Sequence, residues 1–253
     1  MGAAHTATQQ DDCLYRNEAI PNKVRLRIME FMVTRLGIEE AGVEALCTRL
    51  YISHGTTMAG LIDQGYKIDF DEWHEFIHYG TIDYEATLHA DPGLVTMLNS
   101  IALPKFVLTN ADKRHAELAM ARLGITDCFQ GIFHFENIQE LGKKHGVINE
   151  GRPGPLCKPN KITYQLVLNE LGYTAQQAIF LDDSIRNLAG AHELGILTVL
   201  VGRDTVLPCA DLAILSCHSL PLVLAEVFET LIQEGAKEDL EQIEAVVAIT
   251  VTA

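Results

Sequence analysis

Four short polar groups in this chain have the composition of a phosphate site. Asp11-Asp12 stands in "DDCLY", Thr109-Asn110 closes "KFVLTN", Lys158-Pro159 opens the helical segment that begins "CKPNKITYQ", and Asp182-Asp183-Ser184 closes "AIFLDDS". A hydroxyl donor, a cation at a helix start and a pair of carboxylates together suit a phosphoryl group and a divalent metal. Mg²⁺ is the matching ion, because it binds through one or two carboxylates and completes its shell with substrate phosphate and water. The lysine would neutralise charge that grows on the equatorial phosphoryl oxygens.

A different chemistry is written at His74-Glu75-Phe76-Ile77-His78, which matches the H-E-x-x-H pattern of zinc hydrolases. Two histidines one turn apart would hold the metal, and the glutamate between them would activate water. No third ligand follows at a recognised spacing, and Trp73, Phe76 and Ile77 read as packing residues. Zinc hydrolysis through His74, Glu75 and His78 is therefore the remote alternative.

Positioning four groups so far apart in the chain takes a particular scaffold. Short apolar runs at 105–109, 131–135, 178–182, 197–201 and 212–215 alternate with amphipathic segments such as "HAELAMARLG" and "ITYQLVLNELG". Runs buried on both faces and separated by helices predict βαβ units and an α/β, doubly wound parallel sheet. Ligands of such sheets gather beyond the C-terminal ends of the strands, which is where three of the four polar groups fall. Between about residue 17 and residue 90 helical spacing dominates, as in Val24, Ile28, Met32 and Leu36, and predicts an inserted helical cap. "RLGI" at 35–38 and 122–125, "ELGY" at 170–173 and "ELGI" at 193–196 each predict a helix exit through a left-handed glycine. The stretch 142–156, rich in Gly and Pro, reads as a loop, and the end "EGAKEDLEQIEAVVAITVTA" as an acidic helix passing into a β-prone segment without an assigned role.

Composition narrows the partners. The 253 residues carry a formal net charge of -15, which argues against a nucleic-acid polymer or an anionic membrane, since both are bound through clustered Lys and Arg. A small phosphorylated metabolite needs only one or two local cations. The six cysteines form no CxxC pair, so neither a zinc ribbon nor a disulfide framework is suggested, and a reducing cytoplasmic setting fits. No apolar window approaches the length of a membrane span.

The ordered set "DDCLY", "LTNADKRHA", "CKPN" and "FLDDSIRN", with the segment "YISHGTTMAGLIDQGY", resembles the haloacid dehalogenase (HAD) superfamily of hydrolases, and within it the pyrimidine 5′-nucleotidase-like group of plants and fungi. That resemblance spans roughly residues 11–225 and implies a HAD-like Rossmannoid core of residues 1–16 and 91–225, a helical cap of residues 17–90, and a C-terminal helix and tail of residues 226–253. It implies Mg²⁺-dependent hydrolysis of small phosphate monoesters, such as nucleoside 5′-monophosphates, through a phospho-aspartate. Carried over by position, Thr109 would bond the transferring phosphate with Asn110 in support, and Lys158 would stabilise it. Asp183 would be the principal metal ligand with Asp182, Ser184 and Asn187 around it, and Asp11 would act as general acid/base beside the metal.

One departure stands at the reacting position. Counting back from "DDCLY", the nucleophilic aspartate corresponds to Gln9, and the preceding "AAHTATQQ" is polar where the family has an apolar central strand. A neutral amide does not replace a carboxylate nucleophile. The resemblance therefore implies either an altered or shortened N-terminal segment, or a non-catalytic role in which a phosphate ligand is bound and not hydrolysed. A sheet without its middle strand would also leave backbone groups and apolar surface unpaired.

Overall fold

The computed structural model describes residues 13–14, 19–149, 155–225 and 245–250. Helices come first in the chain: α1 (Ala19–Thr34), α2 (Glu40–His54), α3 (Thr57–Asp63), α4 (Phe70–His74) and α5 (Tyr84–Thr87), with a π-helical turn at Glu75–Tyr79. Asp69 and Asp83 start α4 and α5 by accepting from backbone N–H groups three residues on, satisfying donors that a helix start leaves open. The inner face of this layer is apolar: Phe31, Trp73 and Phe76 meet edge to face, with the Phe31 ring 5.0 Å from Trp73 and 5.4 Å from Phe76.

The alternating half follows as α6 (Pro92–Ser100), β1 (Lys105–Leu108), α7 (Lys113–Leu123), β2 (Gly131–Phe133), α8 (Phe135–Lys144), α9 (Lys161–Leu171), β3 (Ala178–Asp182), α10 (Ile185–His192), β4 (Leu197–Val201) and β5 (Leu212–Ile214). Each of the five apolar runs forms the strand expected of it. The four glycine exits also hold: Gly37, Gly124, Gly172 and Gly195 have φ of 67, 74, 77 and 82°. Helices cover both faces of the sheet, so its strands are packed on each side by a separate apolar cluster, one containing Val107, Leu181 and Val199 and the other Leu108, Phe180 and Leu200.

The middle of the sheet departs from expectation. The strand order is β2-β1-β6-β3-β4-β5, all parallel, where β6 is Val246–Ile249. The segment set apart as a tail thus supplies the central strand. Residue for residue it pairs Ile249 with Val107 on one side and with Leu181 on the other. Val246, Val247 and Ile249 are at most 1% exposed, so the β-branched run buries its apolar surface from both faces. The vacancy that the polar N-terminal stretch predicted in the sheet is filled. Gln9 and Asp11, and the acidic stretch 226–244, lie outside the described residues.

Candidate active site

Because Ile249 is in register with both Val107 and Leu181, the residue after it stands level with the ends of β1 and β3. Asp182, ending β3, and Thr250, after β6, consequently meet at the C-terminal edge of the sheet, where Thr109 also follows β1. Lys158 reaches Asp182 and Thr250 from the segment before α9. All four are buried, with Lys158 1% and Asp182 0% exposed.

Lys158 Nζ donates to Asp182 Oδ2 at 2.9 Å, to Leu108 O at 2.8 Å and to Thr250 Oγ1 at 2.6 Å. An ammonium has three N–H bonds, and these three acceptors use them all. The carboxylate opposite is equally engaged. Asp182 Oδ1 accepts from the Ser184 N–H at 2.8 Å, Asn187 Nδ2 lies 3.1 Å from both oxygens, and Thr250 Oγ1 also donates to Oδ2. A buried ion pair repays its desolvation only when its remaining hydrogen-bonding capacity is met in this way. Ser184 and Asn187, expected around a ligand, are here the groups that hold Asp182. Asp183, the next residue, is half-buried at the same strand end.

Asn110 is bonded to the segment before α9. Its Oδ1 accepts from the Lys158 backbone N–H at 2.7 Å and its Nδ2 donates to Lys158 O at 3.0 Å, so it holds the lysine's main chain. Thr109 Oγ1 accepts from the Ala111 N–H at 3.0 Å and closes the turn after β1. The Lys158–Pro159 peptide is cis and is gripped by two glycines. A Cβ on Gly55, at φ 85°, would lie 2.4 Å from Lys158 O, and one on Gly190 would lie 2.3 Å from Pro159 O. Gly55 comes from the helical half and Gly190 from α10, so both halves of the molecule close on this peptide. Arg186, also in α10, adds a further tie: it donates to Tyr51 O and its guanidinium stands 4.1 Å from the Tyr51 ring centroid.

The thiols nearby are not poised for reaction. Burial pushes the Cys157 thiol up to about 11, and Cys157 Sγ lies 3.8 Å from His54 O. Cys13 is held still further from ionisation, first by burial and then by Cys217 and the charges of Asp183 and Asp182. A thiol so raised is a weak nucleophile. The free cysteines expected from the sequence are found among the described residues.

The H-E-x-x-H segment is assembled for packing. His74 and His78 stack with ring centroids 5.8 Å apart, and burial lowers the His74 pKa. His78 Nδ1 meets Asp112 Oδ2 at 2.8 Å, while Glu75 lies on the surface paired with Arg114 at 3.3 Å. Among the described residues no group of three or more His, Cys, Asp or Glu side chains is arranged to hold a metal ion. Asp112 is the centre of this cluster, accepting also from Tyr79 and from the His115 N–H at 3.0 Å. A cavity of about 330 Å³ opens beside it, lined by Asp71, His74, Glu75, Tyr79 and Arg114 among others; Lys158 and Asp182 do not border it.

Asn110, Gly55, Gly190, Arg186 and Thr250 carry structural parts of this site that sequence reasoning did not give them. Thr250 had a usable signal: "VVAIT" is an apolar β-branched run closed by a hydroxyl, the same form as "KFVLT".

A parallel α/β sheet with helices on both faces and a buried lysine–aspartate pair at the C-terminal end of a central strand defines a doubly wound α/β protein. The chain belongs to the haloacid dehalogenase-like hydrolases, whose family model matches residues 38–195, more than half its length. It is 24% identical over 198 residues to "Phosphate metabolism protein 8" of Saccharomyces cerevisiae, a match covering 74% of this chain and 57% of that protein, so the chain spans little more than half of its relative's length. Among solved structures it is similar to L-2-haloacid dehalogenase from Xanthobacter autotrophicus, at 17% identity and a TM-score of 0.47 over 82% of this chain and 86% of that one. A protein from Thermotoga maritima assigned as a β-phosphoglucomutase gives 17% identity and 0.47, over 82% and 91%. No helix among the described residues is long and apolar enough to cross a membrane.

Proposed function

We propose that the edge formed by Thr109, Lys158 and Asp183 binds the phosphoryl group of a small phosphate monoester together with Mg²⁺, and that a nucleoside 5′-monophosphate, of the pyrimidine type, is the ligand class. The observation that carries this reading is the buried Lys158–Asp182 pair at the C-terminal edge of the parallel sheet, where Thr109 follows β1. The motifs of the pyrimidine 5′-nucleotidase-like group support the nucleotide, and the name of the yeast relative agrees with phosphate as the ligand. In this reading residues 17–90 form the cap and residues 1–16 and 91–225 the core, to which β6 must be added.

The donor set fits Mg²⁺ through one carboxylate. Asp182 accepts from Lys158, Thr250, Ser184 and Asn187, and Asp183, half-buried beside it at the strand end, carries the hard carboxylate oxygens that Mg²⁺ takes. Bound Mg²⁺ would neutralise phosphoryl charge.

Turnover by phospho-aspartate is not part of the proposal. The central strand of the described sheet is followed by Thr250, a neutral hydroxyl, and Gln9 is an amide. The function supported best is therefore ligand binding without hydrolysis, as in a regulatory member of a hydrolase family. Calorimetry with Mg²⁺ and cytidine 5′-monophosphate tests it. Binding that disappears in Lys158→Ala is expected, and equal binding by both proteins would remove Lys158 from the site.

A further inference from the structure

The role of Thr250 follows from how Lys158 spends its three N–H bonds. One goes to Leu108 O, a backbone atom of β1 that cannot leave without opening the sheet. The second goes to Asp182, which Ser184 and Asn187 also hold. The third goes to Thr250 Oγ1, the terminal atom of a short side chain just beyond β6. A rotation about one side-chain bond removes it, while the Thr250 N–H keeps its 3.2 Å bond to Leu181 O. Of the three acceptors it is the one that can be exchanged at least structural cost.

We propose that Thr250 occupies the reacting position of the sheet and that its hydroxyl stands where a phosphoryl oxygen would sit, so that a phosphate ligand reaches Lys158 by displacing Thr250 Oγ1. The inference rests on the proposed phosphate reading of the site. It goes beyond that reading by assigning this position to the last strand in chain order, and by predicting that the strand's own hydroxyl competes with the ligand. No bond is made or broken in the exchange except hydrogen bonds. Lys158 trades a neutral oxygen for a charged one, and Thr250 gives up both Lys158 and Asp182.

The test uses the full chain, inorganic phosphate as probe and MgCl₂ in the buffer. Thr250→Val keeps the side chain's shape and removes the competing acceptor; phosphate affinity should rise on the order of tenfold, the size of one net hydrogen bond. Thr250→Ser restores the hydroxyl and should bind as the native chain does. Lys158→Ala separates the two readings. If it binds phosphate as well as the native chain, the phosphate site itself is refuted. If it loses binding while Thr250→Val stays at or below native affinity, the competition is refuted and the site stands. A measurement on the native chain guards against a variant that does not fold: the Thr250 methyl resonance should move as phosphate saturates. A resonance that stays still through Lys158-dependent saturation overturns the proposal.

Discussion

Asn110 grips Lys158 by its peptide groups, Oδ1 on the lysine N–H at 2.7 Å and Nδ2 on its carbonyl at 3.0 Å, so the side chain after β1 sets the height at which the lysine enters the cluster. Asn110→Ala removes both bonds and should cost about 1–3 kcal/mol. Asn110→Asp keeps the acceptor and turns a second oxygen toward the Lys158 carbonyl, so it should be no more stable than the alanine variant. Denaturant unfolding of the three proteins checks the order.

Gly190 has no room for a side chain. A methyl there would meet Pro159 O at 2.3 Å, and that atom belongs to backbone rather than to a flexible chain end. Gly190→Ala should destabilise by about 1–3 kcal/mol despite alanine's better helix propensity. In a chain of this length each kcal/mol corresponds to about 2–4 °C in Tm. A melting temperature at or above native would show that the Lys158–Pro159 segment is not held against α10.

Asp112 predicts acid sensitivity. Burial, the largest single influence on its carboxyl, acts upward, but the hydrogen bond and field of His78, the Tyr79 hydroxyl and the His115 N–H outweigh it and hold the group well below the usual carboxylate range. A carboxylate depressed in the fold stabilises it above the unfolded value of about 3.9 and withdraws that stability as pH falls through the folded value. Asp112→Asn should lose about 2 kcal/mol at neutral pH. The gap between native and variant should narrow below about pH 4, which unfolding curves at neutral and acid pH would reveal.

Native protein incubated with Mg²⁺ and a nucleoside monophosphate should release no phosphate above the protein-free control. Release that is lost in Lys158→Ala would mean that a nucleophile other than Gln9 or Thr250 serves the site.

The five strands of the alternating half and the four glycine exits were legible because each is a local pattern: an apolar run with a polar stop, or a helix ending in Gly before an apolar contact. Asp182 was legible as the polar end of an apolar run, whereas Lys158, expected to open a helix, lies in the segment before α9, which starts at Lys161 behind Asn160. Their bonding was not legible. The bonds of Asn110 to the Lys158 main chain depend on how the segment before α9 passes β1, and those of Ser184 and Asn187 to Asp182 on how α10 leaves β3. β6 was hidden for a different reason. Its run is short and follows a polar stretch, and nothing local in "VVAIT" says which of several strand pairs it will part.

The position of β6 governs how the molecule can be assembled. Without β6 the described strands divide into two ribbons, β1–β2 and β3–β4–β5, each left with an inner edge that has no strand beside it. Neither can be sealed until the ribosome has delivered residue 249 and the strand has threaded between them, joining partners more than 60 and more than 130 residues back. Contacts so distant along the chain make for slow folding, because the long loops they close must be ordered before the pairing rewards them.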